Sequence, residues 1–240
     1  INNHASDETP YFLTANHCGY SASWNFRFNW VSPNPSCATT TPSTDVTGGY
    51  DEINGCSLRA SSSGSDFALL ELNSSPPCTY TPYYSGFDAT DATTVTQATG
   101  IHHPAGDIMK ICREDDSPYH ATAAGAQVWY IDEWEQGVTE GGSSGSPLFD
   151  QNQRIIGQLY GGLAACSGTV NNGQYDYYGR LGVSWNGGSS SARLRDWLDP
   201  SSTGVLTNDG FDPCGASSPD DAGITTIVDP TSSTTICTTS

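Results

Sequence analysis

Short apolar segments separated by Gly, Pro, Ser and Asn recur along the whole chain, and one stretch alone has helical spacing. That punctuation constrains the fold more than any other feature. Residues 11–17 form an apolar run ending on His17, and 24–31 alternate large apolar with polar side chains, the pattern of a half-buried strand. Residues 67–72 are almost wholly apolar and begin directly after Ser65-Asp66. Further strands are expected at 95–101, 127–131, 147–149, 154–160 and 178–185. Residues 191–198 place Leu194, Trp197 and Leu198 at helical spacing, and Asp199-Pro200 stops the helix. Charged residues are 14% of the 240, too few for long Glu/Lys helical faces, so an all-β class follows. The length suffices for one sizeable β domain or two small barrels. Residues 208–240 become rich in Thr, Ser, Asp and Pro, which reads as a tail or linker after a domain spanning 1–207.

Asp and Glu outnumber Lys and Arg by 26 to 8, a net charge of −18. Such a field repels nucleic acid and anionic membranes, so neither is an expected partner, whereas cationic substrates are attracted. No apolar run approaches the ~20 residues of a membrane-spanning helix. Ile1 opens no export signal, so any such signal is expected to have been removed. The eight cysteines form no CxxC pair and no zinc-like cluster with histidine, which points to disulfides and an extracellular, oxidising compartment. Cys214 and Cys237 are candidates to close the tail into a small loop.

Three stretches carry chemistry together. Leu13-Thr14-Ala15-Asn16-His17-Cys18 sets a histidine at a strand end, and Ser65-Asp66-Phe67 sets an aspartate at the head of an apolar strand. Gly141-Gly142-Ser143-Ser144-Gly145-Ser146-Pro147 sets a serine, Ser146, in a glycine-rich loop ahead of another strand. A serine hydroxyl is a poor nucleophile until an imidazole takes its proton, and a buried carboxylate holds that imidazole in one tautomer. Glycines let a loop curl so that backbone N–H groups converge on a developing oxyanion. Alone, each motif has a plainer reading as a packed histidine, a capping aspartate or a flexible loop. Their conjunction in the order His, Asp, Ser points to acyl transfer, with His17, Asp66 and Ser146 as triad and the Ser144 and Ser146 amides as oxyanion hole. This chemistry needs no metal and no organic cofactor.

These stretches resemble the signatures of chymotrypsin-like serine peptidases. With YFLTANHCG, SDFALLELN, IHHP, GVTEGGSSGSP, GQLYGG, the YGR segment and SARLRDWLDP, the chain resembles the lysyl endopeptidase family of secreted bacterial proteases over about residues 11–204. The resemblance implies a double β-barrel with a short C-terminal helix, acting as a monomer on proteins or peptides with lysine, or lysine and arginine, at the cleaved position. It implies that Asp176 binds the substrate's basic side chain, with Glu140 as a competing candidate and Tyr160, Gly161 and Trp134 lining the substrate site. Tyr160 stands where the family pattern has histidine. The family pairs cysteines matching Cys18, Cys37 and Cys166 with partners nearer the N-terminus, so an additional N-terminal segment with about two strands is expected ahead of Ile1. The rival readings are a catalytically silent homologue serving as an extracellular binding module and a disulfide-rich carbohydrate-binding β domain.

Overall fold

A computed structural model describes residues 1–31, 49–167 and 170–215. Cys37 and Cys237 lie outside the described residues, and so do the pairings expected of them. The N-terminal region carries β1 (Tyr11–Ala15), β2 (Asn25–Phe28), β3 (Asp51–Asn54), β4 (Cys56–Ser62) and β5 (Phe67–Leu72). β5 is the middle strand of an antiparallel sheet ordered β1-β5-β4, and β2 pairs with β3 in a separate ribbon. β5 can sit centrally because it is apolar on both faces. Phe67 and Leu69 enter a cluster with Phe87, Phe149, Ile155, Leu181 and Leu198, while Leu70 and Leu72 enter another with Phe26 and Ile53. Strand alternation thus sends one face of β5 toward the C-terminal region and the other toward the ribbon.

The C-terminal region continues with β6 (Phe87–Asp88), β7 (Ala98–His102), β8 (Lys110–Glu114), β9 (Tyr119–Ala123), β10 (Ala126–Ile131), β11 (Pro147–Phe149) and β12 (Ile155–Gly162). It ends with β13 (Cys166–Ser167), β14 (Val170–Asn171), β15 (Asp176–Arg180), α1 (Leu181–Trp185), α2 (Arg195–Leu198) and β16 (Thr207–Asn208). The main sheet runs β8-β7-β11-β12-β15-β10-β9, with β6 joined to β12 and β16 to β6, while β13 pairs with β14. Its core holds Trp129, Trp134, Leu148, Leu159 and Tyr178. The all-β class expected from the sequence is the class observed. No helix among the described residues is long and apolar enough to cross a membrane.

Three expectations change. Residues 178–185 are not one strand, because β15 ends at Arg180 and α1 begins. Leu181, Ser184 and Trp185 are buried at i, i+3 and i+4, a helical face concealed by the alternate spacing of Leu181, Val183 and Trp185. Residues 208–214 do not begin a tail: β16 pairs with β6, Phe211 bridges Tyr84, and Cys214 is bonded to Cys78. That disulfide replaces the expected Cys214–Cys237 loop.

Candidate active site

β1 delivers the chain into a tight turn, Asn16–Cys18, that projects His17 from the sheet end. The neighbouring strand β5 begins at Phe67, so Asp66 lies beside that turn, in a left-handed conformation with φ +53°. The Asn16 amide donates to the Asp66 carbonyl at 2.7 Å, and the His17 amide donates to Asp66 Oδ1 at 2.9 Å. Asp66 Oδ2 lies 2.7 Å from His17 Nδ1. Asp66 is buried, and burial pushes its carboxyl above the ordinary carboxylate range while its bonds to His17 pull it back. With Nδ1 as donor to Asp66, Nε2 is left as the acceptor.

The hydroxyl within reach of that nitrogen belongs to Ser144, whose Oγ lies 2.8 Å from His17 Nε2. Ser146, the serine expected to be the nucleophile, does not meet the imidazole. Its Oγ is buried beside the Tyr178 hydroxyl, away from the imidazole. The Ser146 amide, expected in the oxyanion hole, donates to the Ser143 carbonyl at 3.1 Å. The amides of Gly142 and Ser144 have no hydrogen-bond partner among the described residues. Gly145 sets this arrangement. It has φ +83°, and a Cβ there would stand 2.2 Å from Thr14 Oγ1 and 2.8 Å from the Ala15 nitrogen. The bare glycine lets the loop press against the end of β1, with the serine before it at the histidine and the serine after it leading into β11.

Several residues that the motifs did not single out hold these groups. Ser143 Oγ lies 2.8 Å from Nδ1 of buried His102, and the Glu140 amide donates to the same oxygen. Burial lowers His102 to about 4, so its ring is neutral near neutral pH. Gln158 Nε2 donates to the Ser65 carbonyl at 2.8 Å, and Ser65 Oγ meets Ser184 Oγ at 2.7 Å. Both contacts clamp the residue ahead of Asp66 to the C-terminal region. Sequence offered one signal for this clamp, a glutamine inside the apolar run of 154–160. The Cys18 thiol, raised by burial, stays protonated 3.8 Å from Nε2.

Asp176 opens β15 and is 1% exposed. Its Oδ2 accepts from Trp134 Nε1 and from Thr139 Oγ1, each at 2.7 Å. Burial pushes its carboxyl up to about 6, with those two donors working in the opposite direction. Trp134 is therefore a buried support for Asp176. Glu140 is engaged elsewhere, its Oε1 accepting the Cys166 amide at 3.1 Å. Tyr160 stacks on His17 with ring centroids 5.5 Å apart, and Gly161 pairs with Tyr177.

A model of the C-terminal domain of lysyl endopeptidase matches residues 1–179. A lysyl endopeptidase of Pseudomonas aeruginosa is 30% identical over 189 residues, covering 74% of this chain and 39% of that protein. The chain therefore spans about two-fifths of the length of the curated relative it matches. Among solved structures, a Glu endopeptidase superposes with a TM-score of 0.45 at 20% identity, covering 75% of this chain and 77% of that one. A protease of M. tuberculosis in its active form gives 0.40 at 17% identity, covering 74% and 78%.

Proposed function

Because the chain belongs to the lysyl endopeptidase family, we propose that it is a secreted serine endopeptidase in which Ser144, not Ser146, is the nucleophile. The single observation that carries this reading is the relay from Asp66 through His17 to Ser144, with links of 2.7 and 2.8 Å. His17 Nε2 takes the Ser144 proton as Oγ attacks the peptide carbonyl, and the same proton then passes to the leaving amine. An acyl-serine forms and water hydrolyses it along the same path. The unengaged amides of Gly142 and Ser144 receive the oxyanion, an interaction that grows as charge develops.

Asp176 selects the residue that supplies the acyl group. Its Oδ2 holds two donors and the Ala164 amide also favours the charged carboxylate, so little acceptor capacity remains for an incoming cation. A compact lysine ammonium needs one acceptor, whereas a guanidinium gains most from two. This favours cleavage after lysine over arginine. The disulfide between Cys78 and Cys214 fits an oxidising, extracellular setting. Assembly of the triad within hydrogen-bond reach supports an enzyme over a silent binding module.

An active-site serine reagent followed by peptide mapping tests the nucleophile. Modification at Ser144, abolished in Ser144→Ala and retained in Ser146→Ala, is expected. Modification at Ser146 would reverse the assignment. A cleavage profile on a peptide library tests the selector, and cuts clustered after apolar or acidic residues would refute Asp176.

A further inference from the structure

Trp30 stands just past the end of β2, on the N-terminal ribbon, and the triad makes no use of it. Its half-buried ring is fixed edge-on to Tyr50 at 5.2 Å and under the Arg27 guanidinium at 5.0 Å. Glu52 on β3 holds that guanidinium in turn, at 2.9 Å. Such an array would be no more than packing if its polar atoms stayed on the ribbon. They do not. The indole Nε1 donates to the Gly106 carbonyl at 3.0 Å, and the Trp30 carbonyl accepts the Met109 amide at 3.1 Å. Both bonds cross to the C-terminal region and grip its chain on either side of Asp107 and Ile108.

The gripped segment leads to the oxyanion donors. Pro104–Gly106 form a turn in which Ala105, a non-glycine residue, has φ +52°. A left-handed alanine persists only where its surroundings hold it. The Ala105 amide donates to the Gly141 carbonyl at 2.8 Å. That carbonyl shares one planar peptide unit with the Gly142 N–H, so fixing the oxygen also fixes the N–H, which points the opposite way. Gly142 lies so close to the turn that a Cβ would stand 2.9 Å from the Ala105 nitrogen, and its φ is +94°. Two adjacent glycines have little intrinsic preference to hold their shared peptide in one orientation. The bond from Ala105 supplies it. Resting on the peptidase reading above, we infer that Trp30 is a positioning residue for the oxyanion hole: it pins the Pro104–Gly106 turn, and the turn orients the Gly142 amide. Trp30 touches neither substrate nor triad, so its effect falls on the charge that develops at the carbonyl oxygen and not on ground-state binding. Removing an oxyanion donor outright costs roughly 10²–10³ in kcat, and loosening its support costs less, about ten-fold.

The test compares the unsubstituted chain with Trp30→Phe, which keeps a ring beside Tyr50 and Arg27 and removes the N–H. The substrate is N-acetyl-lysine p-nitroanilide, and two inhibitors of its hydrolysis are read beside it. N-acetyl-lysinal is attacked by Ser144 Oγ: an O–C bond forms, the carbonyl π pair moves to oxygen and the serine proton passes to His17, so this probe fills the oxyanion hole. N-acetyl-lysinol has no carbonyl and binds without the hole. In Trp30→Phe, kcat should fall about ten-fold with KM unchanged, and inhibition by lysinal should weaken by the same factor while inhibition by lysinol holds. The ratio of the two inhibition constants is read on one preparation, so a loss of folded protein leaves it unmoved. An unchanged ratio overturns the inference: with kcat also unchanged Trp30 plays no part in the reaction, and with kcat lowered it supports the fold alone. Failure of the peptidase reading shows elsewhere, in an unsubstituted chain that neither hydrolyses the anilide nor prefers lysinal to lysinol, and it would take this inference with it.

Discussion

The two β regions contribute to one site in opposite ways. The N-terminal region supplies His17 and Asp66 from strand ends on a three-stranded sheet, and it does not fix them alone. Ser65, beside Asp66, is held by Gln158 and Ser184 of the C-terminal region, and one face of β5 packs into a cluster shared with that region. Asp176, by contrast, draws its donors Trp134 and Thr139 from its own region. On the proposed reading, reactivity depends on the seam between regions, whereas selection of the side chain is internal to one of them. Substitutions that act through the seam should slow every substrate alike, and substitutions within the C-terminal core should change which substrate is chosen.

The largest expected effect comes from Asp66→Asn. The asparagine amide donates to Nδ1 and forces the imidazole into the other tautomer, so Nε2 can no longer accept from Ser144. kcat should fall by about 10⁴-fold on lysine and arginine esters equally. A loss confined to lysine substrates would break the division between reactivity and selection.

Asp176→Asn tests the other side of the division. Its carboxyl titrates at about 6 in the folded chain against an ordinary 3.8. The folded form keeps a proton that the unfolded form has lost, so stability falls as pH rises through that window and the loss is complete above it. Asparagine keeps an acceptor for Trp134 and Thr139 and removes the buried charge. The variant should be more stable at pH 7 by on the order of 2–3 kcal/mol in denaturant unfolding. It should also lose about 10²-fold or more in kcat/KM for lysine relative to a neutral isostere. In the unsubstituted enzyme the same preference should decline below about pH 6, since a protonated Asp176 offers no charge to an ammonium. An unchanged preference in the variant would remove Asp176 from the pocket.

Much of this division was legible in the sequence, and the exceptions have physical causes. His17, Asp66 and Asp176 were each the only histidine or aspartate in the stretch that carried them, so the stretch named the residue, although Glu140 competed with Asp176. The serine was not unique, because Ser143, Ser144 and Ser146 share one loop and composition cannot say which oxygen faces the imidazole. Gly145 held that information in its positive φ and its contact with Thr14, neither of which a residue name displays. β3 and β4 were missed because their Asn, Glu, Ser and Arg content blurs the alternation that marked β2. The seam was invisible for a more general reason: Gln158 and Ser65 are 93 residues apart and meet only once both regions are folded.

Gly179→Ala probes that seam directly. A Cβ at Gly179 would stand 1.8 Å from the Ser65 carbonyl oxygen and 2.2 Å from Gln158 Nε2. The strand must give way or the Ser65-Asp66 turn must move. Displacement of the carboxylate by about 1 Å should cost roughly 10–100-fold in kcat. The ratio of lysine to arginine cleavage should hold, because Trp134 and Thr139 lie away from the clash. A changed ratio with normal kcat would show that the seam governs selection instead.

The smallest effect on activity is expected at the edge strand β8, away from the seam. Glu114 is buried, its Oε1 accepts the Asp116 amide at 2.8 Å, and its carboxyl is raised from 4.5 to about 8. Burial is the leading cause, and the charges of Glu135 and Asp116 add to it. Since the folded pKa lies above the unfolded one, the contribution to stability is full below about pH 4.5, falls as pH rises and is gone above about 8. Glu114→Gln keeps an acceptor for the Asp116 amide and removes the titration. Melting temperature plotted against pH should therefore decline less steeply between 4.5 and 8 in the variant. kcat/KM on a lysine ester should stay within about two-fold throughout, because neither the triad nor Asp176 depends on this carboxyl. A parallel loss of activity would mean that the C-terminal sheet transmits strain from its edge to Ser144, and that reactivity is not a property of the seam alone.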